Sequence, residues 1–221
     1  MLDLAASNTF VKGVVGWVDF NAPEAQGLIE RLAENPVLVG LRPMIQDIPE
    51  ADWMLRPELK GVFSALIAQN LTFDALTLPQ HLPSLKELLV RYPQMRVVID
   101  HGSKPRIREN KFGQWAKSMA DISRNTGAFC KLSGLVTEAS PDWSVEDLKP
   151  YVEHLLETFG PERLIWGSDW PVCTLASSYD RWCETSDILL ADLTPTQRAD
   201  VFGGTATRAY NLRDCDDVTS T

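Results

Sequence analysis

Six short apolar runs punctuate the chain: Gly13–Phe20 (GVVGWVDF), Val37–Arg42 (VLVGLR), Leu71–Thr77 (LTFDALT), Arg96–His101 (RVVIDH), Ala128–Gly134 (AFCKLSG) and Arg163–Asp169 (RLIWGSD). Most are rich in β-branched or aromatic residues and nearly continuous in apolarity. That pattern predicts strands buried on both faces. Between them, apolar positions recur with helical period. Pro23–Glu34 carries Leu28, Ile29 and Leu32, and Pro57–Gln69 opens on a proline suited to a first helical position. The same period marks Leu82–Tyr92, Phe112–Arg124, Glu146–Phe159, Tyr179–Leu190 and Pro195–Tyr210.

Strand starts at 13, 37, 71, 96, 128 and 163 are spaced by about 30 residues, the length of one βα unit. An uninterrupted βα repeat predicts a parallel sheet flanked by helices, either open or closed into a barrel. No linker divides the chain, so residues 1–213 read as one domain, followed by a polar tail, Asp214–Thr221, expected to fray. Charged and polar residues gather at strand ends: Asp19, Arg42, Asp100 with His101, Lys131 with Ser133, and Ser168 with Asp169; Asp74 lies within its strand. A charge in an apolar run is costly unless it is paired or belongs to a site. Parallel strands point their C-terminal ends to one mouth, where α/β proteins place their chemistry.

Composition narrows the partners. With 21 basic and 30 acidic side chains the net charge is −9, which disfavours nucleic-acid and anionic membrane surfaces as partners. No apolar run approaches the ~20 residues that span a bilayer, and the N-terminus lacks the pattern of a signal peptide. Four cysteines without C-x-x-C spacing read as reduced thiols, and the expected location is the cytoplasm. Phosphate-binding and dinucleotide-binding glycine motifs are missing, as is the G-x-S-x-G elbow, which disfavours nucleotide chemistry and serine α/β-hydrolases.

Two segments carry the strongest candidates. In Val97–Pro105 (VVIDHGSKP), His101 ends a buried strand before a glycine turn and presents an imidazole at the rim, as metal ligand or acid/base; the alternative is a rim histidine bonded to backbone. In Trp166–Pro171 (WGSDWP), Asp169 ends the last strand between two indoles; aromatic enclosure favours function over a capping aspartate. Arg42 can bind a carboxylate or polarise a carbonyl, or pair with Asp19 or Asp74, and Lys131 carries the same ambiguity. His81 and His154 read as capping or surface residues. Trp53, Trp166 and Trp170 are core by default, with a pocket as the alternative.

Read in order, GVVGWVDF, GLRPMIQDIPEADWMLRPE, LTFDALTLPQHLPSL, VVIDHGSKP, FCKLSG, LIWGSDWPVC with YDRW, and the closing VFGGTATRAYNL resemble the amidohydrolase-related family. The likeness is to its branch of sugar-lactone hydrolases, typified by L-fuconolactonase, and runs from about Leu4 to Leu212. The resemblance implies a (β/α)8 TIM barrel with the site at its C-terminal mouth and hydrolysis of a sugar-acid lactone. It assigns Asp169 as the catalytic group that deprotonates water, His101 as a second catalytic group and Arg42 to the substrate; Asp74 and Trp170 are further substrate-binding candidates. If a divalent metal such as zinc is bound, His101 and Asp169 are its ligands; some relatives use a metal and others none.

Family members open with a strand bearing His-x-His and a second βα unit, and this sequence contains no His-x-His. The chain therefore reads as an incomplete barrel, strands three to eight of eight. Two expectations follow: unpaired sheet edges with an opened interior, which favour homo-oligomers, and weakened metal binding with weak or absent activity. Alternatives are a non-catalytic barrel that binds a small sugar acid or a partner chain, and a related hydrolase or decarboxylase acting on a dicarboxylate or aromatic acid.

Overall fold

A computed structural model gives the fold of residues 1–212; the predicted tail Asp214–Thr221 lies outside these described residues. All six predicted strands form: β1 (Val14–Gly16), β2 (Leu38–Leu41), β3 (Thr72–Ala75), β4 (Val97–Ile99), β5 (Phe129–Leu132) and β6 (Leu164–Trp166). Every neighbouring pair is parallel, and the spatial order is the sequence order. The sheet curls into a partial barrel, six strands of an incomplete TIM barrel with helices outside. Each strand is shorter than its apolar run, and most runs end on polar residues that leave the ladder. They turn into the loops of the C-terminal mouth, as Asp100–Ser103 does directly after β4.

The outer helices Ala25–Leu32, Lys60–Ala68, Leu82–Arg91, Phe112–Asn125, Val145–Phe159 and Tyr179–Leu189 match the predicted periods within a few residues. Pro57 opens a 3-10 turn, Pro57–Leu59, ahead of the second of these. The predicted helix Pro195–Tyr210 is split into Pro195–Ala199, a π turn Asp200–Gly204 and Thr205–Tyr210. Two consecutive glycines, Gly203 and Gly204, are poor helix formers and mark the split. No helix among the described residues is long and apolar enough to cross a membrane.

Strand side chains alternate between two cores, as a period of two requires. Phe73, Val97, Ile99, Cys130, Leu132 and Leu164 face the helices and join the main core with Leu66, Leu85, Met119 and Leu155. Val98 and Ile165 face the concave side with Val15, Val39 and Phe129. The expected open interior is not left empty. Ala206, Ala209, Tyr210 and Leu212 pack onto the concave face, and Thr72 donates its hydroxyl to the Ala209 carbonyl at 2.7 Å. The final helix thereby covers apolar surface that the strands alone would leave in water.

Candidate active site

Stepping two residues at a time along the concave face leads from this small apolar core to the mouth. Thr72 is followed by Asp74, Val98 by Asp100, and Phe129 by Lys131 and then Ser133. Lys131 Nζ lies 2.5 Å from Asp74 Oδ2 and 2.6 Å from Asp100 Oδ1. Its contact with Asp100 is a close ion pair. Tyr210 donates its phenol to Asp74 at 2.8 Å, and Arg42 stands 3.6 Å from Asp100. Both carboxyls are fully buried.

Two carboxyls that share one ammonium cannot behave alike. Burial pushes Asp74 up to about 6 against the pull of Lys131. Burial acts on Asp100 in the same sense, but Lys131, His101 and Arg42 outweigh it and hold that carboxyl below its ordinary range. Burial disfavours the Lys131 ammonium, yet Asp74 and Asp100 reverse this and keep it charged.

Above this network, at the rim, His101 and Asp169 meet: Nε2 stands 3.7 Å from Asp169 Oδ1, and both side chains are largely buried. They come from β4 and β6, with β5 between. The backbone around each is unusual. His101, Gly102, Ser103 and Lys104 all have positive φ, from 51 to 59°, and Asp169 has φ 54°. For a non-glycine residue this conformation costs about 1 kcal/mol or more and persists only where the surroundings impose it. Here Trp115 Nε1 donates to the Gly102 carbonyl at 2.7 Å, the Thr77 and Ser103 hydroxyls bond at 2.8 Å, and Lys104 pairs with Glu138 at 3.0 Å. On its far side the imidazole Nδ1 lies 2.8 Å from Ser133 Oγ. Burial lowers the His101 pKa, against the opposing pull of Asp100 and Asp169.

Several sequence readings change. Asp74 is fully buried, with both oxygens engaged by Tyr210 and one also by Lys131. Arg42 pairs with Asp100, neither Asp19 nor Asp74. The two indoles do not enclose Asp169. Trp166 points to the helix side, bonding Ser186 at 2.8 Å with its ring tilted against that of Phe202, while Trp170 is 65% exposed. Strand alternation explains this, since Trp166 and Ile165 must face opposite sides. His81 is fully buried and accepts the Leu78 N–H, and His154 bonds the Ala116 carbonyl. Sequence reasoning missed Tyr210, which no local signal marks, because its partner Asp74 is 136 residues away. The period of two would have tied Lys131 to Asp74 and Asp100.

A catalytic zinc centre takes three protein ligands. His101 Nε2 and Asp169 could supply two, but the described residues hold no group of three His, Cys, Asp or Glu side chains placed for a metal. The donor set therefore does not fit a complete metal centre.

The amidohydrolase family profile matches residues 1–212. The chain is 42% identical to the L-fucono-1,5-lactonase of Burkholderia ambifaria over 219 residues, covering 96% of this chain and 74% of that protein. It is 33% identical to the L-fucono-1,5-lactonase of Burkholderia multivorans, covering 96% and 75%. A crystal structure of a Burkholderia multivorans amidohydrolase with bound zinc superposes with a TM-score of 0.87 at 34% identity, covering 96% of this chain and 78% of that one. By profile, sequence and fold together, the chain belongs to the amidohydrolase family.

Proposed function

We propose that this chain hydrolyses a sugar-acid lactone of the L-fucono-1,5-lactone type. The observation that carries the reading is the meeting of His101 and Asp169 at the C-terminal rim, 3.7 Å apart. That gap exceeds a direct hydrogen bond and suits an oxygen held between the two groups. The similarity to two L-fucono-1,5-lactonases supports the choice of substrate class.

Asp169 takes a proton from water as the water oxygen attacks the lactone carbonyl carbon. His101 Nε2 donates to the oxyanion that forms. The intermediate collapses, the ring C–O bond breaks, and the leaving oxygen recovers the proton from Asp169. The product is the open sugar acid. Arg42, 38% exposed beside Asp100, is available to a hydroxyl or to the new carboxylate, and the Trp170 indole offers an apolar face to the sugar ring.

Purified chain incubated with a panel of aldonolactones, with and without added zinc, is expected to open L-fucono-1,5-lactone, followed by acid release. Asp169→Asn is expected to lower kcat by about a hundredfold or more. Failure to open any lactone, with or without metal, would reject this reading.

A further inference from the structure

Ser133 is 1% exposed and its Oγ lies 2.8 Å from His101 Nδ1. Among the described residues the hydroxyl makes no other hydrogen bond. Two arguments fix the direction of the bond. If Nδ1 carried the proton, the buried serine hydrogen would lack an acceptor, which is costly. The Nε2 lone pair would also face the Asp169 carboxylate, acceptor against acceptor. With the serine donating, Nδ1 accepts and Nε2 carries the proton toward Asp169. The ring has little freedom to evade this choice. A Cβ on Gly134 would lie 2.7 Å from its Nδ1, so the next backbone segment presses on the imidazole face.

We infer that Ser133 is a positioning residue: its hydroxyl donates to His101 Nδ1 and holds the imidazole as the Nε2–H tautomer, aimed at the reacting oxygen. The consequence for catalysis rests on the lactonase reading; the tautomer itself does not. A neutral imidazole can donate from only one nitrogen. In the wrong tautomer it would meet the developing oxyanion with a lone pair.

The chain has three histidines, so the tautomer of each can be read by long-range 1H–15N correlation in the full-length labelled protein, with assignment by single variants. At neutral pH wild-type His101 is expected as the Nε2–H form. In Ser133→Ala the Nδ1 resonance should shift as its hydrogen bond is lost, and kcat should fall about tenfold or more with KM changed less. Ser133→Thr, which keeps a hydroxyl, should restore both. A wild-type Nδ1–H tautomer overturns the inference without any variant. So does a Ser133→Ala protein whose His101 Nδ1 resonance or whose kcat is unchanged. If the wild type opens no lactone, the lactonase reading falls, and the tautomer measurement still decides this one.

Discussion

At the scale of single residues, the site depends on backbone conformations that favour glycine or tax what stands in its place. Gly134 has φ +65°, and a Cβ there would lie 2.7 Å from His101 Nδ1 and 2.8 Å from its Cγ. Gly134→Ala therefore adds left-handed strain to a ring displacement, and should cost about 1–2 kcal/mol of stability while nearly abolishing activity. Urea unfolding and lactone turnover measured on the same protein would check this, and unchanged turnover would refute it. Of this arrangement the sequence disclosed His101 and Asp169, because a polar residue closing an apolar run is visible. The left-handed turn was hidden: His101, Ser103 and Lys104 carry no local signal for positive φ. Their conformation is imposed by Trp115, Thr77 and Glu138, each distant in the chain.

At the scale of elements, three strands and the final helix share one charge network. Asp74 of β3 and Lys131 of β5 meet Asp100 just beyond β4, and Tyr210 closes it from the final helix. The Asp74 carboxyl titrates near 6, against an ordinary 3.8. Between those values the folded chain holds a proton that the unfolded chain has released. Stability from this group is therefore full below about pH 4 and lost as pH rises through about 6. The amount is up to about 3 kcal/mol, reduced by the coupling to Lys131 and Asp100. Asp74→Asn should flatten the stability profile between pH 4.5 and 7; parallel urea midpoints for the two proteins would contradict this. The six strands and their helices were readable from run spacing and period. The course of the final helix was not, since an amphipathic segment does not say which apolar face it will cover.

At the scale of the whole molecule, β1 has one strand neighbour among the described residues, with Phe10 and Trp17 beside it 78% and 58% exposed. An open edge with apolar side chains invites pairing with a second copy. Sedimentation should reveal self-association that grows with concentration, and Trp17→Lys should shift the protein toward monomer. A wild type that stays monomeric throughout would exclude this edge as a contact. The curl of the sheet has one more bearing. Strand β5 stands between β4 and β6, so on a flat sheet the ends carrying His101 and Asp169 would lie about 10 Å apart. The side chains close that gap to 3.7 Å from a concave face, where bending tilts them toward each other. The arc of the backbone works as a calliper: any force that straightens it opens the jaws, and a ligand gripped between them resists the straightening.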